Sequence, residues 1–386
     1  MGVERNLLMI PGPTNVDPSV LRALAKPTVS HVSPSFAATF KLAIENLKKV
    51  MKTAGEVFVV SGSGTLAMEM AVANVVEPND PVLVVSNGYF GDRFVDVVSR
   101  LSDKVEKLSF EWGKAARADR IKEKLGQGEY KAVIVVHVDT STGVANDVRE
   151  IGRVVRNKGA LFILDTVCSL GGMDVQVDEW GIDICLSGSQ KALAIPPGLA
   201  VLSANKRALD TRIRRKTKVS SYYMDFENWI PVMQDPSKYF ATPPVNMIYG
   251  LAESLDMIMN EGLEKRFERH RALGQAMRSA LTKIGLGIVA EKNMGADTMT
   301  AAYYPEGIDD ESFRGSMSSK HGVVVAGGLG QLKGKVFRVG HMGNVSPNDL
   351  IATVGAIEAT LARLGYSFSV GAGVGAAIEC LKQSTH

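Results

Sequence analysis

The sequence predicts an α/β protein: a mostly parallel sheet with helices on both faces, followed by a smaller α+β region. Two observations predict it. Between Glu56 and Ala204, short apolar runs alternate with longer amphipathic ones. The short runs are rich in Val, Ile and Leu and have no polar face, as expected of strands covered on both sides. After about residue 245 the rhythm changes to long helical patterns separated by only a few strands.

The elements follow in order. EVFVV (56–60) precedes the helical pattern TLAMEMAVANVV (65–76), and PVLVVS (81–86) precedes GDRFVDVVSRL (91–101). AVIVVHV (132–138) precedes DVREIGRVVRNKG (147–159), and ALFILD (160–165), DICLSG (183–188) and LAVLSA (199–204) complete the series. Residues 205–245 break the pattern with basic, aromatic and proline-rich pieces. A long helical stretch is expected from about Asn246 to Gly285, with Leu263, Phe267, Met277 and Leu281 on one stripe. Then come the strand TMTAAYY (298–304), the helix DDESFRGSMSSKHG (309–322), the strand KVFRVG (335–340), and a last helix opened by Ser346-Pro347. The Gly-rich GAGVGAAIECL (371–381) fits none of these patterns.

Composition excludes several classes. The chain has 386 residues, of which 45% are hydrophobic and 22% charged, enough for one large core and a second smaller one. Lys plus Arg number 44 against 41 Asp plus Glu, a formal charge of +3, which speaks against a nucleic-acid binder. The one basic run, RIRRKTK (212–218), reads as a steering patch for small anions or as solvated surface. No apolar stretch reaches the roughly 18 residues of a membrane span. MGVERNLLMIPGP is not a secretory signal, and Asn6 stands where a myristoylation signal has Ser or Thr. Cys168, Cys185 and Cys380 have no metal-ligand spacing and are odd in number, so a reducing, cytoplasmic setting is expected.

In open α/β sheets, ligands sit at the carboxyl ends of strands. Three segments there carry chemistry. SGSGT (61–65) closes a strand and opens a helix, so free N–H groups and the helix dipole can hold a phosphate; a plain glycine turn is the alternative. Asp165 ends a buried strand, where a carboxylate calls for a cation; taken alone, an Asp there is more often a helix cap or a metal ligand. Val167 would share its face if the chain stays extended. Lys191 in SGSQKALAIPPG is bounded by small and apolar residues, which gives it reason to become a neutral, nucleophilic amine; from this segment alone a lysine snorkelling at a loop edge is slightly favoured. A phosphate cradle, a strand-end acid and a dry lysine, in that order, together describe pyridoxal phosphate.

With these segments the sequence resembles the class V aminotransferases of fold-type I, near the alanine–glyoxylate and serine–pyruvate branch. The resemblance runs through PGPT (11–14), HVSPSF (31–36), SGSGT, NGYFGDR (87–93), HVDTSTG (137–143), DTVCSLGG (165–172), SGSQKALAIPPG (187–198), YFATPPV (239–245), GLEKRFERHR (262–271), GGLG (327–330) and VFRVG (336–340). It implies a seven-stranded sheet and three parts: an N-terminal arm (1–20) at the substrate pocket, a large cofactor domain (21–255) and a small domain (256–386). It also implies roles. Lys191 would carry pyridoxal 5′-phosphate as an internal aldimine, and Asp165 would pair with its pyridine nitrogen. Phe90 would stack on the ring where the animal enzymes usually have Trp, losing area and the indole N–H. Val167 would pack on the other face. Ser63, Gly64, Thr65 (His in the animal enzymes) and Gln190 would bind the phosphate, and Ser141, or its neighbour Thr142, would lie near the ring hydroxyl.

Tyr239 and Thr242 would reach the phosphate from the other subunit of a homodimer. Arg338 would clamp the substrate carboxylate bidentately, with help from the backbone of Gly12. No second arginine is placed in the pocket, which disfavours dicarboxylic substrates. His31 and His137 lie in family-like segments without an assigned role. His270, His321, His341 and His386 read as surface or capping residues, and Cys168 and Cys185 as core. The expected activity is ping-pong transamination from serine or alanine to glyoxylate or pyruvate. The rivals are a 2-aminoethylphosphonate or other small-amine transaminase, a nucleotide-binding regulator, and a cofactor-bound protein without turnover.

Overall fold

The computed structural model describes residues 6–383. The described chain opens with a short strand, β1 (Leu7–Leu8), and two helices, α1 (Pro18–Leu24) and α2 (Pro34–Met51). Strands and helices then alternate: β2 (Glu56–Gly62), α3 (Gly64–Val75), β3 (Val82–Ser86), α4 (Tyr89–Val98), β4 (Val105–Ser109), α5 (Ala118–Leu125) and β5 (Ala132–Val136). A small hairpin, β6 (Val138–Asp139) and β7 (Val144–Ala145), leads to α6 (Val148–Asn157), β8 (Leu161–Asp165), β9 (Ile184–Gly188) and β10 (Gly198–Ala204).

Seven of these strands form one sheet in the order β2-β10-β9-β8-β5-β3-β4. Only β10 runs against its neighbours; the other pairs are parallel. The central strands are buried along their whole length, so their side chains meet helices on both faces. The mostly parallel seven-stranded sheet is therefore as read, with one strand unforeseen. β4 (VEKLS) exposes Glu106 and Lys107 at the sheet edge, so it offers no apolar run to recognise. Crucially, β2, β3, β5, β8 and β9 all end at the same edge.

Beyond the sheet come α7 (Lys206–Ile213), α8 (Phe226–Gln234), α9 (Val245–Glu261) and α10 (Leu263–Lys283). The expected single long helix is thus two, because Gly262 sits at φ +83° between them. A second core, separate from that of the large sheet, joins α10 to β11 (Met299–Tyr303), α11 (Asp310–His321), β12 (Val323–Val324), β13 (Ala326–Gly327), β14 (Val336–Gly340) and α12 (Pro347–Arg363). Ser346 opens α12 through a capping box with Asp349.

That helix is not the last. The Gly-rich tail forms α13 (Ala372–Gln383), packed on α10. Its start is held by the buried Glu358 carboxylate, which accepts from the N–H groups of Gly371 and Gly373 (both 2.6 Å) and Val374 (3.2 Å). A Cβ on Gly373 would lie 2.8 Å from Glu358 Oε1 and 3.1 Å from the Ala280 carbonyl, which accounts for the glycine there.

The N-terminal segment docks on the second core. β1 pairs with β12, and the N–H of Gly340 donates to Met9 at 2.9 Å. The chain then passes along the carboxyl edge of the large sheet. Among the described residues, no helix is long and apolar enough to cross a membrane.

Candidate active site

A cavity of about 210 Å³ opens at the shared strand edge. Eight of the expected residues line it: Ser63, Gly64, Thr65, Phe90, Asp165, Val167, Gln190 and Lys191. At one end, β2 gives way to α3. Ser63 stands at the cap position, yet its hydroxyl caps nothing, and the first-turn N–H groups of a helix have no partner within it. A Cβ on Gly64 would lie 3.1 Å from Val167 Cγ2, so a side chain here would crowd the Val167 wall. The Gln190 Oε1 atom is buried without a hydrogen bond. This end is an anion cradle with its polar groups uncommitted.

Asp165 lines the same cavity. Its backbone is fixed by β8, and Oδ1 accepts the Val167 N–H at 2.8 Å. Burial pushes its pKa up to about 7, and the Asp139 charge adds to this. The Val167 N–H, Lys191 and Arg93 pull the other way. The chain turns after Thr166 instead of staying extended, but Val167 still faces the same cavity.

Lys191 closes the site beneath the N-terminal segment. Its Nζ donates to the Pro11 carbonyl. Burial lowers its pKa, and Arg338 adds to the effect, while Cys168 and Asp165 oppose it. Gly12, at φ +98°, lies so close that a Cβ would sit 2.6 Å from Lys191 Cδ. The Gly12 N–H is already committed to the Ile10 carbonyl at 2.7 Å, so the expected donation to a substrate carboxylate is not available from it. Gly12 instead permits the segment to cover the lysine.

Arg338 lies on β14, 9% exposed. Its Nε donates to Gly327 O at 2.7 Å and its Nη1 to Thr140 O at 2.9 Å. Thr140 lines the cavity, but Arg338 itself does not; it is tied to the wall through that carbonyl. Ser141 does not line it. That hydroxyl turns back to donate to Asp139 Oδ1 at 2.6 Å and accepts the Tyr89 N–H at 3.0 Å. Thr142 bonds to the Asp139 carbonyl, so neither of the two hydroxyls expected near the ring is on the wall. Tyr239 is 49% exposed and Thr242 is also exposed, and neither reaches this cavity within the chain.

Arg93 and Cys168 line the cavity and were missed as site residues. The Arg93 guanidinium carbon lies 4.8 Å from the Phe90 ring centroid and 5.2 Å from that of Tyr89. A signal existed: a cation near a helix N-terminus opposes the dipole and needs a reason. An arginine besides Arg338 therefore stands at the pocket, so dicarboxylic substrates are not disfavoured on that ground. Cys168 contacts Thr298 Oγ1 at 3.6 Å, and burial pushes its thiol up to about 11.

The histidines need correcting too. His270 and His341 are fully buried, not on the surface. His270 Nε2 accepts the Gly343 N–H at 3.0 Å, and Nδ1 donates to Arg266 O at 2.7 Å. His341 lies between Thr300 Oγ1 and Asp297 O, each at 2.9 Å. His321 is exposed as expected, and His386 lies outside the described residues. In the basic run, Arg212 is paired with Asp225 and Glu227, at 2.6 and 2.8 Å. Among the described residues, no cluster of His, Cys, Asp or Glu could hold a metal ion.

A strand-end acid, a buried lysine and an open helix start on this sheet define an aminotransferase of fold-type I. Residues 9–332 match the family "Aminotransferase class-V", and the chain belongs to it. It is 42% identical over 363 residues to an uncharacterised aminotransferase of Methanocaldococcus jannaschii, covering 94% of each chain. It is 35% identical to the serine–glyoxylate aminotransferase of Methylorubrum extorquens, covering 98% of this chain and 97% of that one. The crystal structure of ureidoglycine–glyoxylate aminotransferase from Bacillus subtilis superimposes with a TM-score of 0.94 at 31% identity, covering 98% of both chains.

Proposed function

We propose that the cavity holds pyridoxal 5′-phosphate and that the enzyme moves the amino group of serine or alanine to glyoxylate or pyruvate. The observation that carries this reading is that the buried Asp165 and the half-buried Lys191 line one cavity together with an uncommitted helix start. The group fits the residues present. Its phosphate would meet the uncapped start of α3, through Ser63, Gly64 and Thr65, and the N–H₂ group of Gln190, which can donate to it. Its ring nitrogen would meet Asp165, and Phe90 and Val167 would flank the ring. Bound there, the cofactor supplies an aldehyde and an electron-withdrawing ring.

The chain's own residues do the rest. Lys191, its pKa lowered by burial, supplies the amine that holds the cofactor, is released by the donor amine, and then takes the donor's Cα proton. Asp165 keeps a proton on the ring nitrogen. Arg338, with two nitrogens fixed on carbonyls, presents the rest of its fork to the substrate carboxylate. Pro11 to Pro13 cover Lys191 and keep water from it. Residues 1–20 are assigned as the arm; of the expected large (21–255) and small (256–386) domains, the boundary moves to Gly262, because Ile258 of α9 still packs in the large core. A cytoplasmic homodimer would bring the exposed Tyr239 and Thr242 of each subunit to the other's phosphate.

The relatives named for glyoxylate as acceptor support the second half-reaction. The test is a donor panel against glyoxylate and pyruvate with the reconstituted enzyme, combined with borohydride trapping. Turnover of serine or alanine, and cofactor mass fixed on the peptide containing Lys191, are expected. Turnover of 2-aminoethylphosphonate alone would overturn the substrate assignment. No cofactor on that peptide would overturn the site.

A further inference from the structure

Two helices begin at this cavity, and their first turns differ. The N–H groups opening α3 are left to the cavity. Those opening α4 are all taken. Gly88 stands at the α4 cap position and has no side chain to offer. Its place is filled from the β6–β7 hairpin. Asp139 Oδ2 accepts from the N–H groups of Phe90 at 2.9 Å and Gly91 at 3.3 Å. Asp139 Oδ1 accepts from the Ser141 N–H at 2.9 Å and its hydroxyl at 2.6 Å. Ser141 Oγ in turn accepts the Tyr89 N–H at 3.0 Å. The next amide, Asp92, makes the first bond of the helix ladder, to Gly88 O at 3.1 Å.

Asp139 is itself fully buried; burial pushes its pKa up, and the Ser141, Phe90 and Gly91 donors pull it back. The fit is tight: a Cβ at residue 88 would lie 2.2 Å from Asp139 Cγ. The grip fixes both the position and the rotation of the first turn of α4. That turn carries Phe90, on the cavity wall, and Arg93, stacked on the Phe90 ring.

We propose that Asp139 is the positioning residue for the Phe90 ring: it replaces the missing helix cap and so sets where the aromatic wall of the cofactor cavity stands. The proposal rests on the reading of the cavity as the cofactor site. It concerns a residue that touches neither cofactor nor substrate and acts through α4.

The experiment compares wild type, Asp139→Asn, Phe90→Leu and the double variant. Asn offers an N–H₂ where the carboxylate accepts, so it opposes the donors it faces. Cofactor affinity is measured by titrating pyridoxal 5′-phosphate into stripped protein, and ring seating by circular dichroism of the visible cofactor band. Asp139→Asn should weaken binding about tenfold and diminish the band, Phe90→Leu should do the same, and the double variant should be no worse than either. Unchanged binding and band in Asp139→Asn, or losses that multiply in the double variant, would overturn the proposal.

Hydrogen exchange of residues 89–91 in the wild-type chain supplies a test that needs no variant and no cofactor. These amides should exchange far more slowly than the first-turn amides of α5, which has no side-chain cap. Equal rates would overturn the grip. Ser141→Ala, a milder change, should speed exchange at Tyr89 alone. If wild type binds no cofactor, the functional reading fails while the exchange result still decides the grip.

Discussion

Arg266 donates from Nη2 to the carbonyl of Ala192, the residue after Lys191, at 2.8 Å. Its Nε donates to Gly171 O at 2.7 Å, in the loop that follows Asp165, and Nη1 meets Glu261 at 2.6 Å. One buried guanidinium on α10 thus ties together the loops carrying the site's acid and amine. Neighbouring residues extend the tie: Arg269 donates to the carbonyls of Gly343 and Val345, at 3.0 and 2.9 Å, just beyond the strand of Arg338. Arg266→Ala would strand two buried carbonyls, while Glu261, partly exposed, keeps Arg269 at 2.6 Å. A loss of about 2–4 kcal/mol is expected in denaturant unfolding. Arg266→Lys should recover only part of it, because a single ammonium cannot reproduce the planar fork.

Gly12→Ala tests the cover over the lysine. The new Cβ would meet Lys191 Cδ at 2.6 Å and Nζ at 2.9 Å, from a backbone at φ +98° that disfavours any side chain. The backbone alone costs roughly 1–3 kcal/mol, and the segment or the lysine must move. A fall in kcat of at least tenfold is expected, with a smaller effect on global stability, since the segment lies at the chain's edge. Lys191→Ala should abolish transamination while leaving the unfolding midpoint nearly unchanged or raised, because a buried amine is removed.

How much of this was legible depended on whether a residue's role is local. Lys191, Asp165 and the SGSGT turn were readable because strand, turn and apolar flank are adjacent in sequence. Arg93 was not, since its place on the cavity wall depends on how α4 is rotated. His270 and His341 read as surface residues because polar side chains usually are. Their burial depends on carbonyls and N–H groups distant in the chain. Ser141 shows the limit of a resemblance: its hydroxyl is turned from the cavity by Asp139, whose grip no local pattern announces. β4 escaped because an exposed edge strand lacks the apolar run by which its neighbours were found.

Glu358 gives the Gly-rich tail its helix, and Glu358→Ala tests that. Three N–H groups at the start of α13 would lose an anionic acceptor in a buried setting. Charge-assisted bonds at a helix start contribute about 1–3 kcal/mol in such cases. The expected result is faster hydrogen exchange across residues 371–383 and a lower midpoint. Activity should persist, because α13 packs on the outer side of α10 and does not line the cavity.

Asp165 makes a prediction about pH whose sign follows from burial. In the protein stripped of any bound cofactor, its pKa is raised from the ordinary 3.8 to about 7, first by burial and then by Asp139. Between those two values the folded chain keeps a proton that the unfolded chain has lost. Raising the pH through this window therefore favours unfolding, by up to about 4 kcal/mol from this group alone. His137, held down to about 4 by burial, works in the opposite direction as pH rises through its own window, so the wild-type profile is a composite. Asp165→Asn isolates the acid. The difference in unfolding free energy between wild type and variant should shift against the wild type from pH 4 to 7 and level off above. Saturating pyridoxal 5′-phosphate should shrink that shift, because a protonated ring nitrogen would give the carboxylate the cation it lacks. A difference that stays flat across the range would mean that Asp165 is already ionised without the cofactor.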